Sequence, residues 1–327
     1  MTTPSRLPPV SSLPPNVHGY GFYLCQSKEM KQGRGGEYLA LVLQDRTGPL
    51  LARAFDNVTH VAQEFEAGEF VRVLGRTQLH NGRLQLLVER IRRVIDADAG
   101  DGFREDDCIE CAPRPIEEMW AELQALVTTG VDDPFVRALL GRVVAAHEER
   151  LRVWPAAMAV HHAYRGGLLE HVLKVTEAAR GLARAYGADV DVVTAGALLH
   201  DIGKLRELEY DTAVTYSRDG NLLGHITIGS MIVHEACAAI PGFPEALRTH
   251  IEHVVLSHHG ERDHGSPVVP MTAEAFIVAM ADDLDAKLHQ VRRATASDAG
   301  DGEFTSYLGR LERKLWKGIR PAVAAEP

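Results

Sequence analysis

Two hydrophobic rhythms divide the chain. Between Val17 and Ile95 apolar residues come in short alternating runs: "YGFYLCQ", "EYLALVLQD", "LLARAF", "FVRVLGRTQL" and "LQLLVERIRRV". A period of two over so few residues predicts strands with one buried face. "DRTG" at 45–48 and "HNGR" at 80–83 fall between runs and predict hairpin turns, the second through Asn81 and Gly82. "NVTHVAQEFEAG" reads as a helix between the third run and the fourth. Five strands with one such helix predict a small barrel.

From Pro115 onward the rhythm lengthens to that of helices. In "DDPFVRALLGRVVAAHEERL", Asp132 or Asp133 is a natural N-cap with Pro134 at the first helical position. In "GGLLEHVLKVTEAARGLARAYG" the positions Leu168, Val172, Val175, Ala179, Leu182 and Tyr186 step by four and three and define a buried stripe. Two segments have neither rhythm. Residues 1–16 hold five prolines and predict a flexible tail, and the acidic, glycine-bearing residues 96–114 predict a linker. The expectation is a multidomain α and β protein. Residues 17–95 form a five-stranded β-barrel in the strand order of an OB-fold, and residues 115–327 form an all-α domain.

Histidine is distributed unevenly over this plan. Of sixteen, twelve lie between His161 and His289, where even spacing would place about six. Helical spacing sorts them. His171 borders the stripe of its helix. His225 heads a face continued by Ile228, Ile232 and Ala236, with His234 off that face. In "EALRTHIEHVVLSHHG" the stripe Leu247, Ile251 and Val254 leads to His258, which turns His250, His253 and His259 away. His200 and Asp201 close a helix that is almost wholly apolar from Val192 to Leu199, and Asp282 and Asp283 sit in the apolar context "AEAFIVAMADDLDAKLHQV". A lone buried histidine is more often a satisfied core residue than a ligand. Five helices aiming His or Asp at one interior are not explained by packing, because buried carboxylates need a partner or a metal.

The ligand types then suggest the chemistry. Imidazole and carboxylate without thiolate suit manganese, iron, zinc or magnesium, and two divalent ions, manganese foremost, are expected. Asp201 has two oxygens and is the natural bridge between two ions, which together can activate water toward phosphorus. Lys204 can place a positive charge on a phosphate oxygen, or it can simply complement the end of its helix. The expected catalytic residues are Asp201 and Lys204.

Composition narrows the partners. A net charge of −10 argues against a general polyanion coat, yet residues 17–95 carry eleven Lys and Arg against eight Asp and Glu. Arg72, Arg76, Arg90, Arg92 and Arg93 are candidate contacts to a nucleic-acid backbone. Tyr23, Tyr38 and Phe55 could stack bases or fill the barrel core. Four cysteines and no run of about 18 apolar residues predict a reduced, cytoplasmic protein without a membrane span. The pair Cys108 and Cys111 has no second pair at zinc spacing and reads as incidental.

The motifs "HHAYRGGLLEH", "ALLHDIGK", "GHITIGS", "LSHHGE" and "ADDLDAK" occur in this order, after the barrel pattern. In this the chain resembles YhaM-type bacterial 3′-to-5′ exoribonucleases, in which an OB-fold domain precedes a domain of the HD superfamily of metal-dependent phosphohydrolases. The resemblance implies metal ligands at His171, His200, Asp201, His225, His258 and Asp282, with Asp283 the rival to Asp282. It places His162, Arg165 and Lys204 where phosphate binding is plausible. It implies hydrolysis of single-stranded RNA to nucleoside 5′-monophosphates, with single-stranded DNA and a homo-oligomeric state left open. Two other readings compete: a phosphodiesterase or nucleotidase acting on small nucleotides with a regulatory barrel, and a non-enzymatic single-strand-binding protein.

Overall fold

A computed structural model of the chain describes residues 5–33, 36–80, 82–157, 164–210, 214–298, 300 and 302–318. The chain forms two compact units, the first running to Cys111 and the second from Ala112 onward.

The first unit is the barrel. Its strands are β1 (His18–Gly33), β2 (Gly36–Asp45), β3 (Gly48–Ala54), β4 (Phe70–His80) and β5 (Arg83–Arg93). They close in the order β1-β2-β3-β5-β4. One short helix, α1 (Val58–Val61), lies between β3 and β4 as the runs predict. β1 serves two neighbours: its first half pairs with β4, its second half with β2, and a bulge at Cys25–Ser27 turns it from one to the other. β3 and β5 pair in parallel and complete the closure. At the β2–β3 turn Asp45 accepts from the Thr47 N–H and hydroxyl, and Gly48 takes φ 139°. Asn81, of the second expected turn, lies outside the described residues.

Alternation fills the barrel. Leu39, Leu41 and Leu43 point inward, as do Leu50, Ala52 and Ala54, and they meet Val71, Val73, Leu86 and Phe65 in one core. Two sequence expectations are corrected here. The proline-rich tail is not free from Ser5 onward: Leu7 and Leu13 are buried in the barrel core, and the Leu7 N–H donates to the Tyr20 carbonyl. Two leucines among the prolines supply anchors that a count of prolines hides.

The acidic stretch is not a free linker either. Phe103 packs against Phe22 and Phe70, with ring centroids 5.4 and 5.6 Å apart. Cys108 is buried against Phe22 and Leu24, and burial raises its thiol to about 12, so it is inert. Asp98 is the main polar tie. Its side chain is 2% exposed and accepts from Arg72 at 2.8 Å, from Arg92 at 2.7 and 2.8 Å, and from the Ile95 N–H.

The second unit is helical: α2 (Ile116–Thr129), α3 (Pro134–Ala146), α4 (Glu148–Val153), α5 (Gly167–Tyr186), α6 (Val190–Leu199), α7 (Lys204–Glu207), α8 (Arg218–Ala238), α9 (Glu245–Ser257) and α10 (Ala273–Ser297). Asp133 caps α3, accepting from the Phe135 and Val136 N–H groups. α6 is buried on every face from Val192 to Leu199. It is enclosed by α5, α9 and α10 through Val175, Ala179, Val254 and Val278. Tyr186, at the far end of the expected stripe, is exposed beside the Gly187 cap. Helical spacing also misses a hairpin of β6 (Leu208–Tyr210) and β7 (Val214–Tyr216), and the non-helical residues 302–318, where Phe304 bridges Trp316.

Asp98 provides a test of the barrel. Two arginines hold its carboxyl well below the usual carboxylate range, Arg92 foremost and against the effect of burial. A depressed folded-state value means that the stabilisation is present above the unfolded value of about 3.9 and is lost as pH falls below it. Asp98→Asn is expected to weaken the unit by about 2–3 kcal/mol, the low end for a broken buried pair because both arginines are partly exposed. Amide hydrogen exchange in β4 and β5 measures it. The wild-type advantage should shrink as the pH falls below about 4.

Candidate metal centre

Helix ends in the second unit deliver most of the site, and the middle of α10 (Ala273–Ser297) delivers the rest. α6 terminates at His200, with Asp201 next in the chain. Gly203 lets the following turn lie against α8: a Cβ there would sit 1.9 Å from the His225 carbonyl oxygen. α8 is broken at Gly224, with φ 71°, so His225 opens its second segment. His258 caps α9, and His259 follows it. α5 brings His171, and α10 brings Asp282 and Asp285.

Five imidazoles then share one arrangement. Each Nδ1 faces an oxygen and donates to it: His171 to Asp285 at 2.8 Å, His200 to the Ala197 carbonyl at 2.8 Å, His225 to Glu207 at 2.9 Å, His258 to the Val255 carbonyl at 2.7 Å and His259 to the His264 carbonyl at 2.8 Å. With the proton placed on Nδ1, each Nε2 presents its lone pair to the interior.

The lone pairs fall into two groups around one carboxylate. Asp201 Oδ2 lies 3.4 Å from both His171 Nε2 and His200 Nε2, and Asp282 Oδ1 is 3.2 Å from His171 Nε2. Asp201 Oδ1 lies 3.5 Å from His225 Nε2 and 3.7 Å from His258 Nε2. His171, His200 and Asp282 place their donor atoms within 4.8 Å of one another, and so do His225, His258 and His259.

The arrangement has too many acceptors. His171 Nε2 and His200 Nε2 are only 3.2 Å apart. Among the described residues four buried side-chain polar atoms have no hydrogen-bond partner, and three of them are here: Asp201 Oδ1, His225 Nε2 and His258 Nε2. An orphaned buried acceptor costs about 1–3 kcal/mol, so three converging on one point need a cationic partner. The residues therefore fit divalent metal ions, nitrogen and oxygen ligands without sulfur.

The electrostatics agree. Burial opposes charge on Asp201, but Lys204 and the neighbouring histidines hold its carboxyl well below the usual range. Burial also opposes charge on His171, and Asp201, Asp282 and Asp285 overcome it and raise its value well above the ordinary. Carboxylates that hold a proton there would equally hold a metal cation. His258, facing less negative charge, is held well below the ordinary value, first by burial. Lys204 Nζ is buried and donates to Asp201 Oδ2 at 2.6 Å.

The structure thus brings together His171, His200, Asp201, Lys204, His225, His258 and Asp282. It separates Asp283, whose side chain is 59% exposed and paired with Lys287. His259 is a correction: it joins the second group instead of turning away. The helical wheel still holds for His258, the C-cap with helical dihedral angles, and fails for His259, one residue beyond that cap. His250 and His253 do turn away, toward Thr272 and the Met271 N–H. Helical spacing also missed Asp285, three residues after Asp282, and Glu207, three after Lys204. His162 lies outside the described residues. Arg165 is half-buried, and its carbonyl accepts from the Ala112 N–H. A cavity of about 470 Å³ opens on the site, lined by Lys204, Glu207, His225, His258, His259 and Asp282, with Leu208 and Tyr216 on its apolar side.

Two further corrections belong to the barrel. Tyr23 is in the core, so it cannot stack bases. Arg72 is engaged by Asp98 and Asp101 over the rings of Tyr20 and Phe22, and Arg92 and Arg93 pair with Asp98 and Glu69. Arg76 and Arg90 are exposed and have no ion pair among the described residues. Tyr38 lies 5.5 Å from the exposed Phe55 ring, with the Arg53 guanidinium over its own.

The orienting carboxylates can be tested directly. Asp285→Asn removes the charge that fixes the His171 ring and is expected to weaken Mn²⁺ binding about 10- to 100-fold. Asp283→Asn should leave it unchanged. Calorimetric titration of metal into the metal-free protein compares the two.

Comparison with known proteins agrees with both units. A family model described as an HD domain matches residues 168–287, and one described as an OB-fold nucleic acid binding domain matches residues 26–94. The chain is 33% identical over 291 residues to the 3′-5′ exoribonuclease YhaM of Geobacillus sp. (strain WCH70), covering 88% of each chain. It is 32% identical over 281 residues to the 3′-5′ exoribonuclease YhaM of Bacillus subtilis (strain 168), covering 86% of this chain and 88% of the relative. Identity of this extent runs through the barrel and the histidine centre alike, and the chain belongs to the YhaM family of 3′-5′ exoribonucleases.

Proposed function

We propose that this protein hydrolyses single-stranded RNA from its 3′ end and releases nucleoside 5′-monophosphates, and that His171, His200, Asp201, His225, His258 and Asp282 would hold two divalent metal ions. The observation that carries the reading is the Asp201 carboxylate, one oxygen toward His171 and His200, the other toward His225 and His258. In this reading Asp282 completes the first ligand set and His259 the second. When bound, the ions supply positive charge at the phosphate and lower the pKa of water. Manganese suits the donor set, as do iron, magnesium and zinc.

The chain's own groups do the rest. Lys204 keeps Asp201 ionised and stands at the cavity edge, where its ammonium can meet a phosphate oxygen. A cavity of about 470 Å³ suits one nucleotide, with Leu208 and Tyr216 as a wall for its base. With the 3′-terminal nucleotide seated there, water adds to the phosphorus of the last diester. The bond to the 3′ oxygen of the shortened chain breaks, and that oxygen leaves with a proton. The released nucleotide retains its 5′ phosphate.

The barrel supports the grip on a single strand. Tyr38 and Phe55 offer ring faces, and Arg76 and Arg90, without an ion pair among the described residues, offer charge. Single-stranded DNA offers the same backbone and bases to these groups. Four free thiols fit a cytoplasmic setting, and among the described residues no helix is long and apolar enough to cross a membrane.

Three results are expected. A time course on 5′-labelled RNA with Mn²⁺ should show stepwise shortening, mononucleotides with the mass of 5′-monophosphates, and stalling at stable hairpins. Internal cuts, 3′-monophosphates or activity confined to mononucleotides or cyclic nucleotides would overturn the reading. Asp201→Ala should lose bound metal and at least ~10²-fold in turnover with helical content kept, and His259→Ala should cost far more than His253→Ala. Arg76→Ala and Arg90→Ala should each reduce the salt slope of RNA binding by about 0.7.

A further inference from the structure

Beside the metal pocket, and sharing Leu208 with it, the same unit has a second cavity of about 560 Å³. The two share one wall. Lys204, Glu207 and Leu208 face the metal pocket, while Arg206, Leu208 and Tyr210 line the second cavity.

Three arginines converge there, from three different elements. The Arg150 guanidinium lies over the Trp154 ring, 5.1 Å from its centroid, and donates to the Leu205 carbonyl at 2.8 Å. No carboxylate is within ion-pair distance of Arg150 among the described residues. Arg206 and Arg218 share a single partner, Asp219, at 3.5 and 3.1 Å. The Arg218 side chain is 85% exposed and so is free to turn to another anion. Glu209 at the rim is the remaining acid, so three positive charges face two negative ones. The excess is felt nearby: His147 is held below its ordinary value by burial and then by Arg150 and Arg206.

The aromatic part is fixed in advance. The Trp154 indole N–H donates to the Lys204 carbonyl at 3.2 Å, and the Tyr210 ring meets it edge-on at 6.0 Å. Cations beside aromatic faces are what a nucleoside phosphate requires, a guanidinium fork for the phosphate and a ring edge or face for the base. A simple anion would make no use of the aromatic edges beside the guanidinium groups, and an apolar ligand would bury the arginines unpaired.

We propose that this cavity binds a nucleoside-phosphate unit of the substrate strand, upstream of the nucleotide held at the metal pocket. The assignment rests on the exoribonuclease reading, because the shared wall at Leu208 puts the cavity next to the bond to be cut. It gives the helical unit its own hold on the strand. A free mononucleotide has the same chemistry and is the alternative occupant.

The test uses the full-length protein with Arg150→Ala, Arg218→Ala and Trp154→Phe, none of which touches the metal ligands. For RNA of about ten nucleotides, each arginine variant is expected to raise KM about tenfold, the worth of one charge-assisted contact, with kcat unchanged. Hydrolysis of bis(p-nitrophenyl) phosphate should not change. Wild type is expected to gain affinity as the RNA lengthens from two to five nucleotides, and each arginine variant to lose that gain. In parallel, tryptophan emission is followed on titration with 5′-AMP and with a phosphorothioate RNA, using Trp154→Phe to identify the signal. A Trp154 response to 5′-AMP that Arg150→Ala weakens, with length dependence intact, would overturn the strand assignment in favour of a free nucleotide. No change in KM and no Trp154 response to either ligand would overturn the site. If wild type cleaves no RNA yet the phosphorothioate RNA moves Trp154 emission, the site stands and the exonuclease reading fails.

Discussion

Five imidazole lone pairs and three carboxylate oxygens, crowded into one buried pocket, repel one another unless positive charge lies among them. The architecture of the helical unit follows from that constraint. α6 and α9 end at the pocket, and α8 breaks there, because a helix terminus can aim a side chain inward while its own backbone groups find other partners; α10 passes the pocket at mid-length. α6 is buried on every face from Val192 to Leu199, and almost wholly apolar there, because it runs through the core to bring His200 and Asp201 to the centre. Gly203 permits the close crossing that seats His225 opposite them. Each outer nitrogen is tied to a carbonyl or a carboxylate, so no ring can turn its lone pair away without breaking a bond elsewhere.

Much of this was legible in the sequence because it rests on periodicity. His171 and His258 could be placed by counting along amphipathic helices, and His200 and Asp201 by the end of an apolar run, whereas the choice of Asp282 over Asp283 came from the family resemblance and not from periodicity. The barrel was legible from five alternating runs and one interposed helix. What stayed hidden lies where periodicity stops. His259 sits one residue beyond a helix cap, so its direction depends on the turn. Asp285 and Glu207 act on histidines far away in the chain, and nothing local in the sequence shows which ring they hold. Leu7 and Leu13 are single apolar residues in a stretch without rhythm, and only the finished barrel shows where they fit.

Charge counting reached its limit in the barrel. A surplus of arginine over acid within residues 17–95 is real, but counts do not say which guanidinium is free. Three of the five candidate arginines are neutralised by Asp98, Asp101 and Glu69, two of these acids lying in the stretch read as a linker. The same holds for the aromatic residues: strand alternation sends Tyr23 inward and leaves Phe55 exposed. The electropositive surface is therefore smaller than composition suggests.

The place of Asp98 matters for anyone who divides this protein into parts. The apparent seam in the sequence falls just after Ile95, where the last apolar run stops. A fragment ended there would leave behind the carboxylates that neutralise Arg72 and Arg92. It would expose two guanidinium groups that the intact molecule keeps occupied, and it would lose the aromatic lid formed by Phe103. Such a fragment would be less stable and at the same time stickier toward any polyanion. Affinity measured on it would belong to the cut surface and not to the protein.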